Sequence, residues 1–293
     1  KNKDFKIKLI FPCRFEINSS YPYSASYIYY PPCGMGILAA FLSEHNYYVE
    51  QEDLSIKFNR YDDFLHSVLK NIDLNIYKEE IQRFVKSGSI EGKLDLYINR
   101  ILNSTSVEGF DVIGFSILSF YHFLPALILS KKLKQRTNVP IVFGGPFINV
   151  CGQLYPKVFN FLDYMIVGDG RIPLLKLIDY LDNKITISEV PNLIYRNNGE
   201  IIANPKQHYP IEDLPIPDFS DLPLKLYKNK YSNFSGYDIL LPYQITRGCS
   251  SRCSFCTHRC IDDTLEFKSH NKVISELRQM KERDEDFSFS YRK

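Results

Sequence analysis

Short apolar runs alternate with helical patterns along most of this chain. "FKIKLIFP" reads as a first strand, "GMGILAAFLSEH" as a helix and "YYVEQEDLS" as a second strand with polar interruptions. From about Lys57 to Glu108 the pattern is amphipathic and helical throughout, which predicts an insertion of two or three helices between strands. Alternation then resumes. "DVIGFSIL", "PIVFGG" and "DYMIVGD" are strands, separated by the helices "ALILSKKLKQR" and "LYPKVFNFL" and followed by "IPLLKLIDYL". Five strands with helical crossovers, several of them continuous apolar runs, predict a parallel sheet covered on both faces. Ligands of such sheets sit beyond the carboxyl ends of the strands, where strand order reverses, so the loops starting at Pro12, Ser116, Gly144 and Gly168 are the informative ones.

After Leu181 the pattern changes. "NLIYRNNGEIIANP" is a hairpin turning at Asn197, Asn198 and Gly199, residues that tolerate positive φ. Prolines at 210, 215, 217 and 223 then rule out regular helix or central strand, leaving a connector of defined shape. "ILLPYQITRG" predicts one more strand, and "KSHNKVISELRQMKERDED" a helix. The organisation expected is an α/β domain over 1–185 with the insertion at 57–108, a hairpin and proline-rich linker over 186–237, and a third unit over 238–293.

Composition narrows the chemistry. The 293 residues are 44% hydrophobic with a net charge of +2, an ordinary globular balance that gives no electrostatic case for nucleic acid or an anionic membrane as the main partner. The longest apolar stretch, Val112 to Leu129, contains two serines, His122 and Pro125 and runs into "SKKLKQR", which suits a buried strand and helix rather than a membrane span. The N-terminal apolar run is too short for a signal peptide. Seven scattered cysteines do not make a disulfide framework, so a reducing cytoplasm is the expected compartment.

The strongest chemical signal lies on the loop leaving "ILLPYQITRG". Cys249, Cys253 and Cys256 stand in the spacing C-x3-C-x2-C, which lets one irregular loop cover three corners of a cubic iron-sulfur cluster and leaves the fourth iron without a thiolate. Zinc is one rival, with Cys260 as a fourth ligand, but structural zinc usually takes two separated pairs and here all four fall in one short run. A closed ferredoxin-type cluster is the other, but that run begins with x2 and ends in Cys-Pro, whereas Ile261 follows Cys260. Arg247, Arg252, His258 and Arg259 surround the loop with positive charge that favours thiolate, although each taken singly is an ordinary solvated side chain. Cys13, Cys33 and Cys151 read as small buried residues.

Together these features resemble the cobalamin-dependent radical S-adenosylmethionine enzymes, over most of the chain apart from the helical insertion. "SIL" at Ser116 to Leu118 and the double glycine at Gly144 and Gly145 are similar to the elements that make room for the nucleotide tail of cobalamin; Gly168 and Gly170, flanking Asp169, lie on the same side. The resemblance implies an α/β fold, a Rossmann-like (flavodoxin-like) cobalamin-binding domain followed by the first strand-helix unit of a partial TIM barrel. It implies a 4Fe-4S cluster on Cys249, Cys253 and Cys256, S-adenosyl-L-methionine chelated at the open iron with Phe255 near its adenine, and cobalamin held by Ser116, Leu118, Gly144, Gly145, Gly168 and Gly170. None of the six histidines has an aspartate two residues before it, so the resemblance implies cobalamin without a protein histidine ligand.

The implied activity is generation of a 5'-deoxyadenosyl radical for methyl transfer or another radical modification, with a reductant such as flavodoxin or ferredoxin and a small-molecule or peptide substrate. A corrinoid- or partner-binding module with a degenerate barrel is the competing reading. A full barrel takes roughly 250 residues, against the roughly fifty after Ile245, so the chain is expected to be the N-terminal part of a larger protein and inactive alone. "FSFSYRK" is the expected start of a second barrel strand, and the 57–108 helices a cover for the active site or an exposed decoration.

Overall fold

The computed structural model describes residues 5–14, 30–59, 74–151, 155–227, 239–251, 253, 254, 256 and 265–283. Nine strands and seven α-helices are found among these residues. The five apolar or mixed runs form β1 (Lys6–Phe11), β2 (Tyr48–Asp53), β3 (Val112–Ser116), β4 (Ile141–Gly144) and β5 (Tyr164–Ile166). They pair in parallel in the order β2-β1-β3-β4-β5. Strand order therefore reverses between β1 and β3, the flavodoxin-like arrangement that opens a crevice at the carboxyl ends of those two strands.

The hairpin read as part of the connector extends the same sheet. β6 (Leu193–Asn197) runs antiparallel to β5, with Tyr164 opposite Tyr195, and β7 (Glu200–Ala203) pairs with β6 as the far edge. Seven strands thus make one mostly parallel sheet. At the opposite edge, β2 carries Glu50, Gln51, Glu52 and Asp53, which explains its polar interruptions. Lys8 of β1, almost fully buried, is paired with Glu50 and Glu52. The connector covers this edge: Gln51 donates through its backbone to Asp221 Oδ2 at 3.2 Å and through its side chain to the Asp218 carbonyl at 3.0 Å.

Helices cover both faces. α1 (Cys33–Glu44) and, following β5, α6 (Arg171–Leu181) pack on one, with Met35, Leu42, Leu177 and Ile178 buried together with Phe219 and Tyr227 of the connector. The other face takes α2 (Leu74–Ser87), α3 (Lys93–Ser104), α4 (Phe120–Lys134) and the short α5 (Tyr155–Val158). The described part of the insertion is not an exposed decoration. Phe84, Tyr97, Ile98 and Ile101 are buried in the same core as Phe123 and Leu127 of α4, because amphipathic helices of this length need an apolar partner to be stable.

Beyond the connector, β8 (Thr246–Arg247) and β9 (Glu266–Phe267) form a separate two-stranded antiparallel ladder, and α7 (His270–Arg283) follows. The strand expected over "ILLPYQITRG" is thus only two residues long. Pro242 has no N–H to offer a ladder, and the only partner among the described residues is β9. "FSFSYRK" lies outside the described residues. No helix among them is long and apolar enough to cross a membrane.

Candidate functional site

The carboxyl ends of β1, β3, β4 and β5 surround a cavity of about 410 Å³, within the range of small-molecule and cofactor sites. Its wall is short of side chains: Gly114, Gly144, Gly145, Gly168 and Gly170 all line it. Gly145 is the position where glycine is required. Its φ is +97°, and a Cβ there would stand 2.7 Å from both the backbone N and O of Ile117. The close approach belongs to a turn in which Phe147 N–H donates to the Ile117 carbonyl at 3.1 Å and Ile117 N–H to that of Gly144 at 2.8 Å. Gly144 differs. A Cβ there would meet nothing nearer than the Ile166 carbonyl at 3.9 Å, so the bare wall at Gly144 is open space rather than packed backbone.

Of the residues singled out from the sequence, Ser116, Gly144, Gly145, Gly168 and Gly170 line this cavity together. Leu118 does not; its side chain is 54% exposed. β3 ends at Ser116, and the residue after it, Ile117, takes the buried position in the core, leaving Leu118 to point outward. Phe255 lies outside the described residues, as do Arg252, His258, Arg259 and Cys260.

The floor opposite the sheet comes from another part of the chain. Gln244, Thr246, Arg247 and Gly248 also line the cavity, so β8 runs along its mouth and the first cysteine of the motif follows directly after Gly248. Gly248 turns the chain there with φ +82°. Cys249 is exposed, and Cys253 and Cys256 are half-buried. Within the loop, the backbone N–H of Ser251 donates to Cys249 Sγ at 3.4 Å and that of Cys256 to the Cys253 carbonyl at 3.1 Å. No group of three or more His, Cys, Asp and Glu side chains among the described residues converges on a point as a single ion requires. A cubane takes one thiolate at each corner, so its ligands need not meet at one point.

The other thiols have a different environment. Burial pushes Cys33 up to about 11 and Cys151 up to about 12, and Cys13 higher still. They stay protonated and act as apolar filling.

Three charged residues give the cavity a feature that neither spacing nor periodicity announces. Asp169, between Gly168 and Gly170, accepts from Arg171 and from Arg247, whose Nη2 lies 2.8 Å from its Oδ2. Burial raises the Asp169 carboxyl, but hydrogen bonds and charge from Arg171, with the charge of Arg247, outweigh it and leave the group below the usual carboxylate range. The only sequence signal was an aspartate held between glycines directly after a strand.

A doubly wound α/β domain whose switch-point cavity is closed from outside by a cysteine-bearing strand end is the class of protein that fold and site define. Solved structures of the same build are known. The chain superposes over 97% of its length on OxsB, a cobalamin-dependent S-adenosylmethionine radical enzyme solved with aqua-cobalamin and S-adenosylmethionine bound, with a TM-score of 0.63 and 17% identity. It superposes over 95% of its length on TsrM, a radical S-adenosylmethionine methyltransferase from Kitasatospora setae, with a TM-score of 0.57 and 13% identity. A further TsrM structure holds cobalamin and a [4Fe-4S] cluster. The likeness to cobalamin-dependent radical S-adenosylmethionine enzymes is thus borne out in the fold, as is the expected α/β class.

Among curated sequences, an uncharacterized methyltransferase, PH0819, of Pyrococcus horikoshii is 24% identical over 177 residues. An anaerobic magnesium-protoporphyrin IX monomethyl ester cyclase of Synechocystis sp. is 28% identical over 140. The matches cover 57% and 45% of this chain but 36% and 26% of those proteins, so the chain spans about a third or less of its curated relatives. It covers 32% of OxsB and 46% of TsrM. No protein-family model matches it.

Proposed function

We propose that this chain is the corrinoid-binding and cluster-bearing part of a radical S-adenosylmethionine enzyme that carries out methyl transfer or another radical modification. One observation carries the reading: the glycine-lined cavity at the switch point is bounded on its open side by the two residues of β8 and by Gly248, immediately before Cys249. A large cofactor in that cavity and a cluster on that loop would therefore be neighbours.

The residues present fit both groups. The wall at Gly114, Gly144, Gly145, Gly168 and Gly170 leaves backbone free to approach a broad ligand, and Ser116 and Asn149 add polar contacts. Asn149 is itself held by the Gly168 N–H, which donates to its Oδ1 at 2.8 Å. Cys249, Cys253 and Cys256 would hold three irons of a 4Fe-4S cluster, leaving the fourth for S-adenosylmethionine, with Phe255 beside its adenine. When bound, these groups supply reductive cleavage of the sulfonium to a 5'-deoxyadenosyl radical and a cobalt-borne methyl group, fed by a reductant such as flavodoxin or ferredoxin. The chain's own part is to hold the two sites facing one another and to keep water from the cavity.

Anaerobic reconstitution with iron and sulfide, followed by gel filtration with hydroxocobalamin, tests the two halves separately. The chain should retain about four irons and a corrin absorbance band. Gly144→Leu, which places a side chain in open space, should lose the corrin band and keep the iron. Iron absent from the intact chain, or present without any response of its EPR signal to S-adenosylmethionine, refutes the enzyme reading in favour of a binding module. The chain spans 36% and 26% of its curated relatives, and turnover of S-adenosylmethionine by these residues alone is not expected.

A further inference from the structure

The cavity wall and the cysteine loop come from distant segments of the chain, and one carboxylate links them across 78 positions of sequence, from Asp169 to Arg247. Asp169 follows the end of β5 and is 7% exposed. Its Oδ1 accepts from the backbone N–H and Nε of Arg171 at 3.0 and 3.1 Å; its Oδ2 accepts from Arg171 Nη2 at 2.9 Å. Arg171 alone therefore satisfies both oxygens in a bidentate pair. Its remaining N–H groups donate to the Asp213 and Pro210 carbonyls, which anchors the connector as well.

Arg247 is surplus to that account. Its Nη2 donates to Asp169 Oδ2 at 2.8 Å and its Nη1 to the Tyr209 carbonyl at 3.0 Å. The carboxylate already has a full counter-charge, so neutralising Asp169 does not explain the second guanidinium. Its effect is on Arg247 itself, and Arg247 is half of a two-residue strand that pairs with β9 and leads straight to Cys249. A strand so short is not held in place by its own hydrogen bonds.

We infer that Asp169 is a positioning residue: by gripping Arg247 it fixes β8, and with it Cys249, against the mouth of the cavity. The inference rests on the reading of Cys249, Cys253 and Cys256 as cluster ligands, and its test is made on chain without iron so that the two can fail apart.

Hydrogen exchange is followed in peptides covering 244–251, with 141–144 of β4 as internal reference. Arg247→Gln leaves the Asp169–Arg171 pair intact and should raise exchange in 244–251 by about tenfold, the scale of one charge-assisted hydrogen bond, with no change in β4. Arg247→Lys keeps the charge and the reach to Asp169 and should bring exchange back to within about threefold of the native chain. Asp169→Asn loosens Arg171 as well and should raise exchange in 244–251 at least as much as Arg247→Gln, and the double variant should be no worse than Asp169→Asn alone. Should Asp169→Asn not fold, the two Arg247 variants decide the matter. Unaltered exchange in Arg247→Gln, or no recovery in Arg247→Lys, overturns the inference even if iron uptake is normal. Failed iron uptake in the native chain overturns the ligand reading and leaves the exchange result standing.

Discussion

At Gly145 the backbone is wedged against Ile117 with no room for a methyl group, inside a sheet whose neighbours Ile113, Ile141 and Phe143 are fully buried. At Cys249, on the far side of the same cavity, the neighbouring strands are two residues long, Ile245 is 45% exposed and Phe267 is 63% exposed. Polar bridges to the connector hold this second region. His208 pairs with Glu266 at 2.8 Å, Glu212 accepts from the backbone and hydroxyl of Ser269, and buried Lys268 donates to the Leu214 carbonyl at 3.4 Å. One side of the site is thus built by hydrophobic burial. The other is a loop on polar tethers, and a bound cluster would supply the rest of its order, as metal binding does wherever a site is not preformed.

The comparison is broken most severely by removing the three cysteines proposed as cluster ligands. Replacing Cys249, Cys253 and Cys256 with Ala together should reduce bound iron from about four per chain to none, while the urea midpoint of the iron-free chain stays where it was. A large fall in that midpoint would mean that the loop is part of the scaffold after all. The scaffold has its own breaking point in Gly145→Ala. At φ +97° and ψ 169° Gly145 occupies a region essentially closed to side-chain-bearing residues, which costs about 1–3 kcal/mol, and forcing a Cβ against fixed backbone adds about 1–3 kcal/mol. A loss of about 2–6 kcal/mol is expected, read from the urea midpoint and accompanied by loss of corrin retention, with iron binding spared.

How far each region could be read from the sequence follows the same division. Continuous apolar runs specify β3 and β4 because burial on both faces demands them, and Gly144–Gly145 marked the cavity because a backbone turn needs glycine there. Tyr97, Ile98 and Ile101 announced a helix with an apolar stripe but not its partner, so the insertion looked like an ornament until its stripe was seen against Phe123 and Leu127. Arg247 and Asp169 were visible as single charges. Their pairing is a long-range contact that no local pattern encodes. Leu118 adjoins Ser116 in the sequence, yet it does not line the cavity, because the chain turns outward after β3.

A smaller effect, on the order of 2–3 kcal/mol, concerns the edge of the scaffold. Burial pushes the Asp53 carboxyl from its ordinary value of 3.8 up to about 6, although Tyr227 Oη donates to it at 2.7 Å and Ile56 N–H at 2.9 Å. A raised folded-state value means that the native chain keeps a proton that the unfolded chain has already lost. The stabilisation is complete below about pH 4, declines as pH rises through about 6, and is flat above; a rise of this size corresponds to roughly 3 kcal/mol. Asp53→Asn keeps an acceptor for Ile56 and cannot ionise, so the difference between its urea midpoint and that of the native chain should grow in favour of the variant from about pH 4 to about pH 7. Asp53 lies on β2 and is held by Tyr227, whereas β8 is held through Arg247 at Tyr209 and Asp169, so hydrogen exchange in 244–251 should not follow this pH dependence. Were it to do so, the two regions could not be treated as separately built.

The smallest effect sharpens the boundary of the cavity itself. Ser116 and Gly144 line it, whereas the Leu118 side chain stands largely in solvent just past the end of β3. If corrin retention is governed by the cavity wall, Leu118→Ala should leave hydroxocobalamin affinity within about twofold, the size of an ordinary surface substitution. Gly144→Leu in the same assay should abolish retention. A loss at Leu118 comparable to that at Gly144 would place part of the ligand outside the 410 Å³ space and over the exposed loop. The wall would then no longer be the part of the site that is built by hydrophobic burial, since a residue exposed to solvent would be contributing to it.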